Sequence, residues 1–167
     1  MKATIRNILI SVLLTAALFL LINSVIRTTV VYGRSMVPNL QNGQHVVVVK
    51  VAYLFNEPER GDVVVFNTKR IDSPIIHRIV GLPGETIELR NGELYVNKKR
   101  VKEDYLLGNS ITIPPKTLPN DRYFVIGDNR SVSTWDVISR NDIMGKACFS
   151  YWPTSEWGLI GNQQYTE

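Results

Sequence analysis

The sequence predicts one mainly β domain, coiled, mostly antiparallel and barrel-like, preceded by a single N-terminal transmembrane helix. An uncharged apolar stretch over residues 7–26 predicts the helix. Short runs rich in β-branched residues then recur at close spacing without an amphipathic helix between them, which is typical of an antiparallel β fold. Once the anchor is set aside, the 167-residue chain suffices for one compact domain with a single core.

The apolar stretch is interpreted as an uncleaved membrane anchor. At 1.5 Å per residue, a helix of about 20 residues spans roughly the 30 Å hydrocarbon core of a bilayer. A cleavable secretory signal is the alternative, and the basic start with Lys2 and Arg6 would suit it. However, no convincing Ala-x-Ala site is found, and cleavage near Ser24 would leave almost no spacer before Ser35.

The charges that flank the anchor are nearly balanced, because Lys2 and Arg6 precede it and Arg27 and Arg34 follow it. A tail of a few residues is easily kept in the cytoplasm, so we expect the folded domain on the extracytoplasmic side of the cell membrane. The expected organisation has four parts, namely a cytoplasmic tail (1–6), a transmembrane anchor (7–27), a β-rich domain (28–161) and a C-terminal tail (162–167).

Eight strands are expected in the folded part. Turn signals separate several of them, above all Pro83-Gly84, where glycine supplies a positive φ, and Asn91-Gly92, the strongest hairpin signal in the chain. The segment 102–121 is interpreted as a long excursion with one short strand. The expected strands cover residues 45–51, 63–66, 74–81, 86–90, 93–97, 111–113, 122–126 and 143–151.

The overall composition is that of a globular protein, since 44% of the residues are hydrophobic and 20% are charged. The net charge is +4, and the cations are scattered. Without a basic stripe and interleaved aromatic residues, no nucleic-acid partner is expected, whereas mild basicity fits a protein near an anionic membrane surface. No cofactor and no metal site are predicted. The single cysteine, Cys148, lies in an apolar run and is interpreted as a buried core residue.

Ser35, in the sequence Gly-Arg-Ser-Met-Val-Pro, is the candidate nucleophile. A serine hydroxyl needs a base to take its proton, and the chain has two histidines, of which His45 is given no role. His77 shares one face of an expected strand with Ile75 and Ile79. Burial among isoleucines would lower its pKa from about 6.5 and leave the neutral form that a general base needs. The alternative is a core histidine satisfied by a backbone carbonyl.

A polar loop follows the expected strand 122–126, and strand ends that open into polar loops are suitable places for catalytic groups. Asp128 and Asp136 are candidates to orient an imidazole, which is the role of the carboxylate in a serine triad. Ser133 could hydrogen-bond the base. The alternative is an Asx-type turn stabilised by its own side chains, and the residues alone leave both interpretations open.

Four motifs occur in order along the chain. They are Ser35-Met36-x-Pro38, then RGDVVVF over 60–66, then RIVGLPGE over 78–85, and finally GDNR over 127–130 with Ser133 and GKA over 145–147. Together they resemble the motifs of the type I signal peptidases, membrane-anchored serine endopeptidases that remove signal peptides from exported proteins. The resemblance runs from the anchor to Trp152. Four motifs in the right order are far more specific than any one of them.

The resemblance implies a mechanism, a substrate and a location. Ser35 would attack the scissile carbonyl, His77 would take and return the proton, and the backbone N–H of Ser35 would contribute to an oxyanion hole. An extended preprotein would pair as an added strand, with small side chains before the cut. The domain, expected to be a monomer, would press an apolar face on the lipid bilayer. The candidate interfacial residues are Trp135, Trp152 and Trp157. The alternative is packing in the core or loops, which is favoured for Trp152.

The sequence departs from the family pattern in two places. His77 stands where the usual bacterial enzyme has a lysine, although the eukaryotic-type and archaeal branch uses histidine. Asp136 comes one residue later than the acid of the family's Ser-x-Asp-Ser-Arg motif, so Asp128 is at least as good a candidate. A histidine base also needs its second nitrogen held. We therefore expect a carboxylate, hydroxyl or carbonyl beside His77, and an acidic limb of activity at roughly pH 6–7.

Two other functions stay open. One is a non-catalytic, membrane-anchored module that keeps the peptide-binding groove but has lost its lysine base. The other is a self-cleaving regulator or a pilus-maturation peptidase of related fold. Replacing His77 by lysine separates the first of these from an active enzyme, because that change could restore activity only to an inert protein.

Overall fold

The computed structural model describes three stretches of the chain, residues 2–68, 70–108 and 111–161. The predicted C-terminal tail, 162–167, lies outside the described residues. One helix, α1 (Lys2–Val25), opens the described chain, and its part Thr4–Val25 is long and apolar enough to cross a membrane, with a mean hydropathy of 2.5. Its large apolar side chains are exposed, which suits contact with lipid.

Twelve strands follow the helix within the described ranges. In chain order they are β1 (Ile26–Val30), β2 (His45–Val49), β3 (Val63–Thr68), β4 (Ile71–Gly81), β5 (Thr86–Arg90), β6 (Glu93–Val96), β7 (Lys99–Val101), β8 (Ile113–Thr117), β9 (Arg122–Ile126), β10 (Trp135–Ser139), β11 (Ile143–Trp152) and β12 (Gly158–Leu159). Two short 3₁₀ turns, Arg140–Asp142 and Thr154–Glu156, lie on either side of β11. The chain beyond the anchor is therefore mainly β.

The strands form two sheets in which every ladder is antiparallel. The larger sheet has the order β1-β2-β11-β3-β4-β9-β10, with β12 paired to β11, and the smaller sheet has the order β7-β6-β5-β8. Among the described residues no ladder joins β1 to β10, so the larger sheet is open and does not close into a barrel. The predicted mainly β, antiparallel class is confirmed.

The predicted strands 86–90 and 122–126 are confirmed to the residue. The prediction at 111–113 is wrong in its bounds, because β8 begins at Ile113 and continues through two prolines. Proline is tolerated there because β8 is an edge strand, where no neighbour needs the missing N–H. Strands β1, β7, β10 and β12 were not expected. Strand β1 was missed because it directly follows the apolar helix in sequence. Strand β10 was missed because it directly follows a polar loop.

Strand β4 lies inside the larger sheet, between β3 and β9, and is buried from Ile76 to its end. Successive side chains of a strand point to opposite faces. Ile76 accordingly joins one core cluster with Met36 and Leu40. Ile79 joins a different cluster on the other face, with Phe66. Side chains on the two faces of β4 therefore pack into different core clusters.

The burial of Cys148 and of the three tryptophans can be compared with what the sequence predicts. Cys148 is half-buried, so its interpretation as a fully buried residue is wrong. Trp135 is half-buried and stacks on Phe124, with ring centroids 5.3 Å apart. Trp152 and Trp157 are 55% and 64% exposed, so both side chains are accessible for contact with a membrane surface.

Candidate active site

Ser35 lies in a short turn that directly follows β1. The turn is closed by backbone hydrogen bonds from Val37 to the Arg34 carbonyl (3.3 Å) and from Leu40 to the Met36 carbonyl (2.9 Å). Met36 and Leu40 are 1% and 2% exposed, so two apolar side chains fix the turn in the core. Ser35 itself is half-buried. The alternation of apolar and polar residues in the motif thus anchors the segment while its hydroxyl stays near the surface.

The loop after β9 holds this turn from the other side. The backbone N–H of Asn129 donates to the Ser35 carbonyl at 2.8 Å, and its side-chain amide donates to the Arg34 carbonyl at 3.1 Å. Gly127 approaches so closely that a methyl group at its Cα would overlap the Ser35 carbonyl oxygen and the Ser133 hydroxyl. Glycine is therefore required at 127 to let the two segments meet.

His77 lies on β4 opposite this meeting point. The register pairs Arg78 with Ile126, and its continuation by one residue sets Gly127 opposite His77. Residues directly opposite in an antiparallel pair have Cβ atoms about 4.5–5.5 Å apart and share a face of the sheet. By this register the position of Gly127, which the Ser35 carbonyl and the Ser133 hydroxyl approach, lies beside the position of His77.

The environment of His77 is apolar. The residue is 3% exposed, and its ring centroid lies 5.9 Å from that of Phe66. Burial lowers the pKa of His77 to about 4, and the negative charge of Asp136 opposes that shift. The imidazole is therefore neutral at pH 7.

The predicted partner for the second imidazole nitrogen is not found. Nδ1 of His77 is buried and has no hydrogen-bond partner among the described residues. The expectation of a carboxylate, hydroxyl or carbonyl that fixes this nitrogen is wrong for Nδ1. An unpaired buried nitrogen also fails to stabilise the imidazolium, which agrees with the lowered pKa.

Asp128 faces away from His77 and is occupied elsewhere. Its two oxygens accept hydrogen bonds from Nε and Nη2 of Arg78, at 2.9 and 2.7 Å, and both side chains are 1% exposed. Asn39 also donates to Asp128, at 2.9 Å. Because Arg78 follows His77 on β4, this ion pair lies on the opposite face of the strand. Asp128 fixes the turn after Ser35 and does not contact His77.

Neither Asp136 nor Ser133 pairs with Nδ1 of His77. Asp136 accepts a hydrogen bond from Thr68 at 2.7 Å and acts on the imidazole through its charge alone. The Ser133 hydroxyl accepts from the Gly127 N–H at 2.7 Å and donates to the Thr134 carbonyl at 2.9 Å. The hydroxyl proton of Ser133 is therefore already donated to a carbonyl of its own loop.

Sequence reasoning missed Asn129. It stands in the quoted GDNR motif without an assigned role, although it is 6% exposed and bonds to the segment that carries Ser35. The only signal was its position at a strand end that opens into a polar loop.

Comparison with known proteins gives consistent matches. Residues 2–152 match the family model described as "Signal peptidase, peptidase S26". A probable signal peptidase I-1 from Synechocystis sp. is 34% identical over 141 residues, which cover 77% of this chain and 72% of that protein. Signal peptidase IB from Staphylococcus aureus strain COL is 34% identical over 191 residues, and the match covers both chains completely.

Among solved structures, a signal peptidase I from Enterococcus faecalis V583 is 28% identical, with a TM-score of 0.47, over 55% of this chain and 97% of that one. The family match spans most of the present chain, and it includes helix α1, the turn that carries Ser35 and the strand that carries His77. The chain therefore belongs to the signal peptidases of peptidase family S26, which are serine-type hydrolases.

Proposed function

We propose that this protein removes signal peptides from exported proteins, with Ser35 as nucleophile and His77 as general base. The observation that carries the proposal is the meeting of three segments at Gly127, where the Ser35 backbone and the Ser133 hydroxyl approach the glycine and the β4 register brings His77 opposite it. A neutral imidazole in that place is suited to accept a proton from a serine hydroxyl.

The reaction on these residues is acyl transfer. As Ser35 Oγ attacks the scissile carbonyl carbon, its proton moves to His77, and the carbonyl oxygen becomes an oxyanion stabilised by the Ser35 backbone N–H. His77 then gives its proton to the leaving amine, which departs as the new N-terminus of the mature protein. A water molecule, activated by His77, hydrolyses the acyl-enzyme and releases the signal peptide with a free carboxylate.

The low pKa of His77 has two opposite effects on this chemistry. The imidazole is neutral under all ordinary conditions, so the enzyme is never inhibited by protonation near pH 7. Its proton affinity is weaker than that of an exposed imidazole, and general base catalysis is most efficient when the pKa lies near the working pH. The charge of Asp136, which raises the pKa of His77, partly restores that affinity.

The proposed setting is the extracytoplasmic face of the cell membrane, with the N-terminus in the cytoplasm and the protein acting as a monomer. The apolar helix Thr4–Val25 supports a single span. Strand β1 starts at the residue after the helix, so the turn that carries Ser35 lies within about ten residues of the membrane end of the chain. An extended preprotein, itself held in the bilayer by its apolar signal, would reach such a site without leaving the membrane.

The test is cleavage of a preprotein by the full chain in detergent. Ser35→Ala and His77→Ala are each expected to abolish cleavage, whereas Ser155→Ala, at an exposed serine, and His45→Ala should cleave at the wild-type rate. Retained cleavage in either of the first two variants would remove that residue from the mechanism.

The unpaired Nδ1 and the lowered pKa of His77 also favour one competing function, a non-catalytic module that binds signal peptides. In that case the wild-type chain would bind a preprotein without cleaving it, and His77→Lys could create activity. Under the catalytic proposal the wild type cleaves, and His77→Lys gives no gain.

A further inference from the structure

We propose that Asn129 is a positioning residue for the oxyanion hole, a role that rests on the proposed function of Ser35. Its side-chain amide donates to the Arg34 carbonyl at 3.1 Å, and its backbone N–H donates to the Ser35 carbonyl at 2.8 Å. These two carbonyls belong to the peptide units directly before and after the Cα of Ser35. A single residue thus holds the backbone of Ser35 from both directions.

The first of these hydrogen bonds acts directly on the oxyanion donor. The Arg34 carbonyl and the Ser35 N–H belong to the same planar, trans peptide unit, so they point in opposite directions and rotate together. A donor fixed on the carbonyl therefore fixes the direction of the N–H. It also polarises the peptide unit, because hydrogen bonds in a chain strengthen one another. The bond from Asn129 to the Ser35 carbonyl fixes the next peptide unit in the same way.

Asn129 is itself held in one orientation. It is 6% exposed, and its side-chain oxygen accepts a hydrogen bond from the Ser131 N–H at 3.3 Å. With the amide turned over, an oxygen would face the Arg34 carbonyl and an NH₂ group would face the Ser131 N–H, so both contacts would become repulsive. The backbone carbonyl of Asn129 accepts from the Ser133 N–H at 2.9 Å. Every polar group of the residue is thus engaged at the site.

The consequence concerns the transition state and not substrate binding. Charge develops on the oxyanion only as the tetrahedral intermediate forms, and a donor already aimed at that position needs no reorganisation. Removal of the Asn129 amide leaves the Ser35 N–H in place but frees its peptide unit to rotate. The chemical step should therefore slow while the affinity for an extended peptide stays the same.

The decisive variant is Asn129→Asp, which keeps the size, the backbone contact and the acceptor for Ser131 but lacks the donor to Arg34. We expect kcat to fall about 10- to 100-fold, somewhat less than the 10²–10³ typical of deleting an oxyanion donor outright, with KM changed by less than about twofold. In Asn129→Ala, which adds no charge, the acidic limb of activity set by His77 should not move. A peptide aldehyde forms an oxyanion on Ser35, so its affinity should fall by the same factor as kcat. An amide of the same peptide that the enzyme does not cleave forms no oxyanion, so its affinity should not fall.

Asn129→Ala repeats the test without adding a negative charge. Asn39→Ala is the matched control, because Asn39 also donates two hydrogen bonds from its side chain, to the Tyr105 carbonyl at 3.0 Å and to Asp128, but neither reaches a peptide unit of Ser35. It should lower thermal stability about as much as Asn129→Ala while it keeps kcat within about twofold.

Three results would overturn the role of Asn129. They are a wild-type kcat in Asn129→Ala, an equal kcat loss in Asn39→Ala, and an equal loss of affinity for the aldehyde and the amide. Failure of the underlying function would look different. Either the wild type would not cleave the preprotein or Ser35→Ala would cleave it as well, and in both cases the aldehyde would not bind to Ser35.

Discussion

Lowering the pH from about 7 to about 5 is expected to leave the cleavage rate of the folded enzyme almost unchanged. His77 has to be neutral to accept the serine proton, and burial lowers the pKa of His77 to about 4. The acidic limb of kcat/KM is therefore expected near pH 4, and not at the pH of about 6–7 that an exposed imidazole gives. The sequence alone predicts the higher value because it does not show how completely the ring is enclosed.

The same shift makes the stability of the fold depend on pH. Between pH 6.5 and about 4 the unfolded chain binds a proton at His77 that the folded chain does not bind. Stability from this group is therefore complete above pH 6.5 and falls as the pH falls through that window. A shift of this size corresponds to about 3 kcal/mol below pH 4. Acid unfolding has to be separated from acid inhibition of the chemistry.

The assay is preprotein cleavage in detergent between about pH 4 and 8, with tryptophan fluorescence of the same samples to report whether the domain is folded. A control sample is held at each pH and returned to pH 7, so that irreversible loss is measured independently. His77→Gln should lose cleavage and also lose the component of the pH-dependent unfolding between pH 6.5 and 4 that His77 contributes. An acidic limb at about pH 6–7 in a folded enzyme would mean that the imidazole is hydrated during turnover, and would refute the reasoning.

Three further predictions concern the neighbours of Ser35 and His77. Gly127→Ala should remove most activity in a chain that still folds, because the added methyl overlaps the Ser35 carbonyl; cleavage and thermal melting are measured together. Asp128→Asn should cost about 3–5 kcal/mol in denaturant unfolding, because it removes the carboxylate charge from a buried ion pair with Arg78; a loss below about 1 kcal/mol would contradict this. Asp136→Asn should move the acidic limb to still lower pH, because its charge raises the pKa of the histidine; an upward shift in a pH–rate profile would contradict that origin.

The elements that the sequence predicts well are those whose signal is local. Strand β5 and its hairpin follow from alternation and from Asn91-Gly92, and the hairpin residue Asn91 adopts the positive φ that such a turn requires. The candidate nucleophile Ser35 is also identified from a short local motif, and Met36 and Leu40 of the same segment lie in one core cluster. In these cases the physical cause of the structure lies within a few residues.

The parts that the sequence does not predict depend on contacts between distant segments. Asp128 is a plausible partner for an imidazole in sequence, but the alternation of β4 sets Arg78, and not His77, on its side of the sheet. The hydrogen bond from Asn129 to Arg34 joins residues 95 positions apart, and no local pattern marks it. The unpaired Nδ1 of His77 is a property of the assembled core and has no sequence signal.

The identity of the base and the role of Asn129 are connected through charge. Burial disfavours the cationic form of any base at position 77. It brings the pKa of His77 from about 6.5 to about 4, so the buried imidazole accepts a proton less strongly than an exposed one. Because Nδ1 has no partner among the described residues, the imidazolium depends for stabilisation on Asp136 and on the oxyanion that forms as the proton moves. Proton transfer and oxyanion formation must then occur together. With His77 as the proposed base, a peptide unit that is fixed in advance by Asn129 should therefore matter more than it would with a stronger base.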